Sequence, residues 1–196
     1  AIESASLVEN EHTVLLDTST AHRTQEGWCY GFPELSEERK EALKAAKRIA
    51  VPGCHASGFI ALIYPLVEAG ILQKDAKLSC TSLTGYSGGG KKMIAAYEDS
   101  ERDPLLDFPR MYALGQGHKH LKEMKALTGL SNEPIFLPIV GDFYSGMEVT
   151  IPLVMATLIN QGIEAGDTAV VVRQGLLRHN VKFIFEGEEE IGSPSL

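Results

Sequence analysis

Ile49-Ala50-Val51-Pro52-Gly53-Cys54-His55-Ala56-Ser57-Gly58 is the stretch that decides the fold. Its first three residues form a short apolar piece that reads as the end of a strand. Pro52-Gly53 follows as a turn, since glycine tolerates backbone angles that other residues resist. Residues 57–68 are apolar enough for a buried helix, which Gly70 would end. The same succession returns downstream. Residues 78–83 alternate as a strand does, Gly85 to Gly90 form a glycine-rich loop, and residues 91–97 read as a helix. Strand, loop and helix repeated in this order indicate α/β architecture.

Working outward, residues 13–16 (Thr-Val-Leu-Leu) form a short buried strand, and 17–24 a polar loop. Residues 36–47 read as a helix, with Ser36 as N-cap, acidic residues in its first turn and basic residues later, as the helix dipole prefers. Residues 101–110 are charged, carry Pro104 and Pro109, and are expected to be a loop. Residues 118–128 read as another helix. Residues 135–140 and 147–152 read as strands joined by 141–146. Further β-rich runs are expected at 168–172 and 181–185, beyond an ambiguous apolar piece at 154–159, and an acidic cluster follows at 186–190. No internal repeat or low-complexity linker interrupts the chain.

The 196 residues suffice for one large domain or two small ones. With 44% hydrophobic and 22% charged residues the composition is that of a globular protein. A net charge of −8 argues against a nucleic-acid partner. Three cysteines, Cys29, Cys54 and Cys80, are too few and too scattered for a secreted disulfide framework, and no C-x-x-C pair suggests a zinc knot. No apolar run is long enough to span a membrane. The start of the chain lacks both a signal-peptide pattern and an initiator Met, so the chain is expected to begin mid-protein and to reside in the cytoplasm.

Cys54 sits at the expected start of a helix. Unpaired backbone N–H groups and the helix dipole there favour a thiolate, and the same donors can hold a developing oxyanion. Acyl transfer to sulfur requires that combination; against it stands the commoner state of a single Cys, a small buried side chain. Gly117-His118-Lys119-His120 offers two imidazoles that titrate near neutrality, suited to general acid–base work but equally to a surface role. No third or fourth ligand accompanies them at a metal-binding spacing. Gly85-Tyr86-Ser87-Gly88-Gly89-Gly90-Lys91-Lys92 fits G-x-x-x-x-G-K but has Lys92 where a phosphate-binding loop needs Ser or Thr to ligate magnesium, which excludes a kinase or ATPase. Its glycine N–H groups ahead of a helix still form an anion nest. Arg23 is a further candidate anion partner, being able to bind carboxylate or phosphate bidentately.

Val51-Pro52-Gly53-Cys54-His55-Ala56-Ser57-Gly58, with Pro65 after an apolar run, resembles the active-site signature of the N-acetyl-γ-glutamyl-phosphate reductases, in their shorter, second type. Four other stretches agree in order: residues 17–24 (Asp-Thr-Ser-Thr-Ala-His-Arg-Thr), 30–34 (Tyr-Gly-Phe-Pro-Glu), 82–92, and 138–144 (Pro-Ile-Val-Gly-Asp-Phe-Tyr). The resemblance covers about residues 1–158. It implies an NADPH-dependent reduction of an acyl phosphate to a semialdehyde through a cysteine thioester, in arginine biosynthesis. Cys54 would be the nucleophile, and one of His120 and His118 the acid/base. Ser87, Gly88, Gly89 and Gly90 would contact NADP, and Arg23, Ser19 and Lys119 the substrate. No metal is implied. The implied fold is a partial Rossmann-like dinucleotide-binding domain (residues 1–50), then an α+β catalytic and dimerisation domain with a mixed sheet (51–158). Homo-oligomers, an acyl phosphate and phosphate are the implied partners.

The sequence departs from that pattern twice. No G-x-G-x-x-G follows a strand, so NADPH binding by this chain alone is expected to be weak. Residues 159–196 form an atypical tail in which residues 180–193 resemble a motif of the M20 di-zinc peptidases, with Glu189 and Glu190 as its paired glutamates, although the other ligands of that site have no match. The alternative expectation is therefore a composite or catalytically incompetent chain that acts as a binding or oligomerising module.

Overall fold

The computed structural model describes residues 1–10 and 12–153. The expectations for residues 154–159, 168–172 and 181–185, and for the acidic tail, lie outside them. The chain separates into two units, one built from Ala1–Ala76 and Lys119–Glu133, the other from Lys77–His118 and the strands after residue 134.

The first unit begins with a short helix α1 (Ile2–Ser6) and a three-stranded parallel sheet, β1 (Leu15–Asp17), β2 (Cys29–Tyr30) and β3 (Arg48–Ala50), in the order β1-β3-β2. Helix α2 (Glu37–Ala45) makes the crossover from β2 to β3. Ser36 caps it as the sequence indicates, its side chain accepting the Arg39 N–H at 3.2 Å. The expected strands near residues 13–16 and 49–51 are β1 and β3, but β1 is not the buried strand expected: it lies at the edge of the sheet, with Leu16 68% exposed. β2 was not anticipated, because two residues carry no detectable alternation.

β3 leads through Pro52-Gly53 into α3 (Cys54–Glu68), which begins at Cys54 as expected and continues through the apolar stretch 57–68. Gly53 is the N-cap in extended conformation, so the turn is complete before Cys54 and the helix includes it. Its buried residues His55, Ala56, Phe59, Ile60, Ile63, Leu66 and Val67 recur at three- and four-residue spacing, forming one stripe. Full burial of Phe59 or Ile60 contributes about 1.5–3 kcal/mol each. Gly70, at φ +67°, ends the helix. Its N–H bonds the Val67 carbonyl at 3.0 Å, and the Ile71 N–H bonds the Leu66 carbonyl at 2.9 Å, so the last orphan carbonyls are satisfied. The unit closes when α5 (Leu121–Thr128) packs on α3 with Leu121, Met124 and Leu127 inward. α5 begins at Leu121, after the histidine pair, with His120 as N-cap. Further upstream, Ala113 and Gln116 adopt positive φ in the loop that precedes the histidine pair.

The second unit is a mixed four-stranded sheet, β4 (Ser79–Gly85), β5 (Arg110–Met111), β6 (Ile135–Gly141) and β7 (Met147–Thr150), in the order β5-β6-β4-β7. β4 and β6 run parallel over seven residues, from Ser79 opposite Ile135 to Gly85 opposite Gly141. The edge strands β5 and β7 are antiparallel to their neighbours. Residues 101–110, expected to be loop throughout, hold a 3-10 turn (Pro104–Asp107) and the start of β5. Arg102 organises that segment: its guanidinium grips both Asp142 oxygens at 3.0 and 2.7 Å, Asp107 at 2.6 Å and the Tyr97 carbonyl at 2.8 Å. Tyr97, Leu106 and Val140 form a small buried cluster.

β4 ends in a 3-10 turn (Tyr86–Gly89) that leads into α4 (Lys91–Glu98). The N–H groups of Gly85, Tyr86 and Ser87 bond the carbonyls of Gly146, Phe143 and Tyr144 at 2.9–3.0 Å. This seam requires glycine at 85, because a Cβ there would meet the Tyr144 and Phe143 carbonyl oxygens at 2.6 and 2.8 Å. Gly85→Ala is expected to cost about 1–3 kcal/mol, measured as a lower midpoint of urea unfolding. Gly88→Ala, whose added methyl would meet only Thr84 Oγ1 at 3.5 Å, should unfold close to the parent chain.

Candidate active site

The residues that the sequence singles out fall in both units. Cys54, His120, Arg23, Ser19 and Lys119 belong to the first; Ser87, Gly88, Gly89, Gly90 and His118 belong to the second.

In the first unit, Cys54 is the first residue of a 15-residue helix with no acidic side chain in its opening turn. It is half-buried. The positive end of the helix dipole therefore faces an anion at this position without competition from a nearby carboxylate of the same helix. Gly53, directly before it, lies against other polar groups: a Cβ there would overlap the side chains of Arg23, Glu123 and His120. Glycine at this position is thus a requirement of packing. His120 is 3% exposed, and its Nε2 lies 3.7 Å from Glu123 Oε1. The rings of His55 and His120 sit 5.5 Å apart.

Glu123, which the sequence reading did not single out, is the centre of this arrangement. It is 1% exposed. Its Oε1 accepts from Arg23 Nη1 at 2.8 Å, and its Oε2 accepts from the Tyr30 hydroxyl at 2.9 Å and the Gly53 N–H at 3.2 Å. A buried carboxylate is tolerable only when paired and hydrogen-bonded in this manner. Burial, and then the charge of Glu123, raise the pKa of the Tyr30 hydroxyl far above its ordinary value, so it stays protonated and donating. Within this unit, Arg23 is held by Glu123, by the Val51 carbonyl through Nε at 2.8 Å and by the Thr18 carbonyl through Nη2 at 3.2 Å. Three of its nitrogens are therefore engaged by the chain itself.

The loop that delivers Arg23 is shaped by Asp17. That carboxylate accepts from the Ser19 N–H at 2.9 Å and the Ser19 hydroxyl at 2.8 Å, and it pairs with buried His22 Nδ1 at 2.5 Å. His22 stacks on Trp28 with ring centroids 3.9 Å apart. Ser19 thus serves the turn with both its N–H and its hydroxyl. Lys119 is exposed.

In the second unit, Ser87 is buried, while Gly88, Gly89 and Gly90 are exposed. Gly90 has φ +75°, with no atom within 4 Å of where a Cβ would stand. α4 follows with Lys91 and Lys92 in its first turn and no acidic residue there. His118 packs against Tyr112 and Phe136, with centroids 6.0 and 4.9 Å away. It does not share a unit with His120, so the two histidines of the motif occupy different surroundings. Cys80 is buried in β4, and burial pushes its thiol pKa up to about 12. Among the described residues, no group of three His, Cys, Asp or Glu could hold a metal ion, and no helix is long and apolar enough to cross a membrane.

The family model described as "Semialdehyde dehydrogenase, dimerisation domain" matches residues 54–173. N-acetyl-gamma-glutamyl-phosphate reductases from Trichormus variabilis (43% identical over 164 residues, 82% of this chain and 51% of the relative), Chelativorans sp. (45% over 158 residues, 81% and 50%) and Rhizobium meliloti (38% over 176 residues, 89% and 55%) are similar to it. The chain therefore spans about half the length of the curated relatives it matches. Among solved structures, it shares the fold of aspartate semialdehyde dehydrogenase from Francisella tularensis (TM-score 0.57, 10% identity, 83% of this chain and 56% of that one). The enzyme from Candida albicans, solved with NADP, is also similar (TM-score 0.53, 18% identity, 83% and 48%).

Burial opposes ionisation of Asp17, but the Ser19 N–H, His22 and the Ser19 hydroxyl outweigh it and hold the carboxyl below its ordinary value. A carboxyl more acidic in the folded than in the unfolded chain stabilises above about pH 4 and loses that contribution as the pH falls through the folded value. Asp17→Asn should therefore lower the melting temperature near neutrality and reduce its further fall below about pH 4, as followed by circular dichroism.

Proposed function

Since this chain belongs to the semialdehyde dehydrogenase family defined by its dimerisation domain, we propose that it carries the thiol half of an N-acetyl-γ-glutamyl-phosphate reductase. Cys54 attacks the acyl carbon of the acyl phosphate, a C–S bond forms, and the C–O bond to phosphate breaks. NADPH, when bound, supplies the hydride that reduces the resulting thioester. His120 takes the thiol proton ahead of attack and returns it as the C–S bond breaks, regenerating the thiol and freeing the semialdehyde. The α3 N-terminus favours the thiolate and receives negative charge on the carbonyl oxygen.

The observation that carries this reading is the setting of Gly53. The N–H of the residue before Cys54 and the imidazole of His120, remote in sequence, both approach the carboxylate of Glu123. A helix-start cysteine with a buried imidazole beside its turn is the equipment that acyl transfer to sulfur needs. The curated relatives, named for this reaction, support the choice of substrate.

The residues of the 85–90 loop fit a phosphate-bearing dinucleotide. Gly90 leaves open space where a side chain would stand, and the α4 N-terminus with Lys91 and Lys92 complements negative charge. Ser87, Gly88, Gly89 and Gly90 would hold the cofactor, and Lys119 and His118 would lie on the substrate side. Arg23 and Ser19 act on the substrate through the shape of the loop they close. The family's dimerisation domain supports self-association of the chain.

Two measurements on the full chain test the proposal. NADPH formation from N-acetylglutamate semialdehyde, NADP and phosphate should be detectable and should fall at least about a thousandfold in Cys54→Ser. Iodoacetamide at neutral pH should label Cys54 in the folded chain well ahead of Cys80, and unfolding should abolish the difference. A folded, self-associating chain that forms no NADPH and whose Cys54 is no more reactive than Cys80 would reduce it to an oligomerising module.

A further inference from the structure

We propose that Gln116 is a positioning residue for His118, its side-chain amide taking the place of β5 backbone where that strand leaves the sheet. The proposal rests on the reading that puts His118 on the substrate side. Gln116, His118 and the residues invoked with them all belong to the second unit.

β5 pairs with β6 over two residues, Arg110 opposite Val140 and Met111 opposite Ile139. The Tyr112 N–H carries the ladder one step further, to the Pro138 carbonyl at 3.1 Å. At the next step along β6 the partner is a side chain. Gln116 Nε2 donates to the Phe136 carbonyl at 2.8 Å, and Gln116 Oε1 accepts from the Phe136 N–H at 2.8 Å. A primary amide offers the donor and the acceptor that a peptide group offers. The pair therefore reproduces the two bonds that an antiparallel neighbour exchanges with the residue opposite it.

Between these two attachments the chain turns outward, with Leu114 66% exposed and the Gln116 N–H bonded to the Ala113 carbonyl at 3.0 Å. Ala113 and Gln116 adopt φ of +51° and +54°. Neither is Gly, Asn or Asp, the residues that take positive φ most readily. Backbone held in this way persists only where its surroundings fix it. Tyr112 fixes one end of the turn by packing on the cluster of Tyr97, Leu106 and Val140; the Gln116 amide fixes the other. His118 follows two residues later. Its ring stands 4.9 Å from the ring of Phe136, whose backbone Gln116 grips, and 6.0 Å from the ring of Tyr112. The imidazole is thus seated between the two anchors of the turn. The Gln116 amide is committed to Phe136, so its effect on a substrate passes through His118 and falls on binding.

The test uses the full chain, at one fixed pH, with the His118 ring protons followed by NMR and assigned through His118→Ala. Gln116→Ala removes both bonds to Phe136. The His118 ring signals, displaced in the parent by two neighbouring aromatic rings, should move towards their positions in the unfolded chain. In the turnover assay, KM for N-acetylglutamate semialdehyde should rise about fivefold or more with kcat changed less than about twofold. Leu114→Ala, on the same turn, should leave the signals and both constants at their parent values. In a His118→Ala background, Gln116→Ala should add less than about twofold to KM, because the group it seats is gone. Should Gln116→Ala fail to fold, Gln116→Asn, whose amide is one methylene too short to keep both bonds, carries the same decision. Displaced ring signals together with a KM effect that vanishes without His118 support the proposal. Ring signals that stay in place in a folded Gln116 variant, an unchanged KM, or a KM effect undiminished in His118→Ala overturn it and leave the reductase reading intact. A parent chain with neither turnover nor preferential labelling of Cys54 overturns the reductase reading, and the role assigned to Gln116 falls with it, whatever the ring signals show.

Discussion

A single buried carboxylate holds the first unit together around its chemistry. Glu123 draws Arg23 from the loop after β1, Tyr30 from β2 and the Gly53 N–H from the turn after β3 to one point beneath the start of α3. Each of these groups comes from a different strand-to-loop junction of the parallel sheet. A carboxylate out of water demands full pairing, so the positions of three separate loops are coupled to its location. Gly53 makes that convergence possible, since any side chain there would occupy the space of Arg23, Glu123 and His120. The absence of a Cβ is thus as much a part of the site as the groups that surround it.

The second unit solves a comparable problem with the opposite charge. Arg102 grips both oxygens of Asp142 and reaches Asp107 and the Tyr97 carbonyl, which pins the 141–146 connection. That connection then accepts three successive N–H groups from Gly85, Tyr86 and Ser87. The shape of the glycine-rich loop is therefore set from the side by a backbone seam. Glycine is needed at 85 because carbonyl oxygens stand too close; at 90 it serves a different end, a positive φ that turns the chain into α4.

What could be read from sequence was what local rules decide. Ser36 as a cap, Gly70 as a helix stop, the strands around residues 79–85 and 135–141 and the turn before Cys54 each depend on neighbours a few residues away, and each is present. The two-residue strands β2 and β5 were not legible, because their identity lies wholly in their partners. α5 begins three residues later than the pattern from His118 suggests, with His120 as its N-cap. Glu123 escaped for a stronger reason. Between Lys122 and Met124 it looks like an ordinary solvated helix charge, and its burial is decided by Arg23, Tyr30 and Gly53, up to a hundred residues earlier.

The discontinuity of the first unit carries a consequence for how the molecule comes into being. A ribosome delivers Arg23, Tyr30 and Cys54 long before it delivers α5, and the intervening residues 77–118 belong to the other unit. Until α5 emerges, Arg23 has no carboxylate to meet and the stripe on α3 lacks the helix that covers it. Closure of so long a segment makes this a late, non-local event. The nascent chain must therefore carry an exposed apolar helix and an unmatched cation through much of its synthesis, the stage at which chaperone capture or misassociation competes with folding.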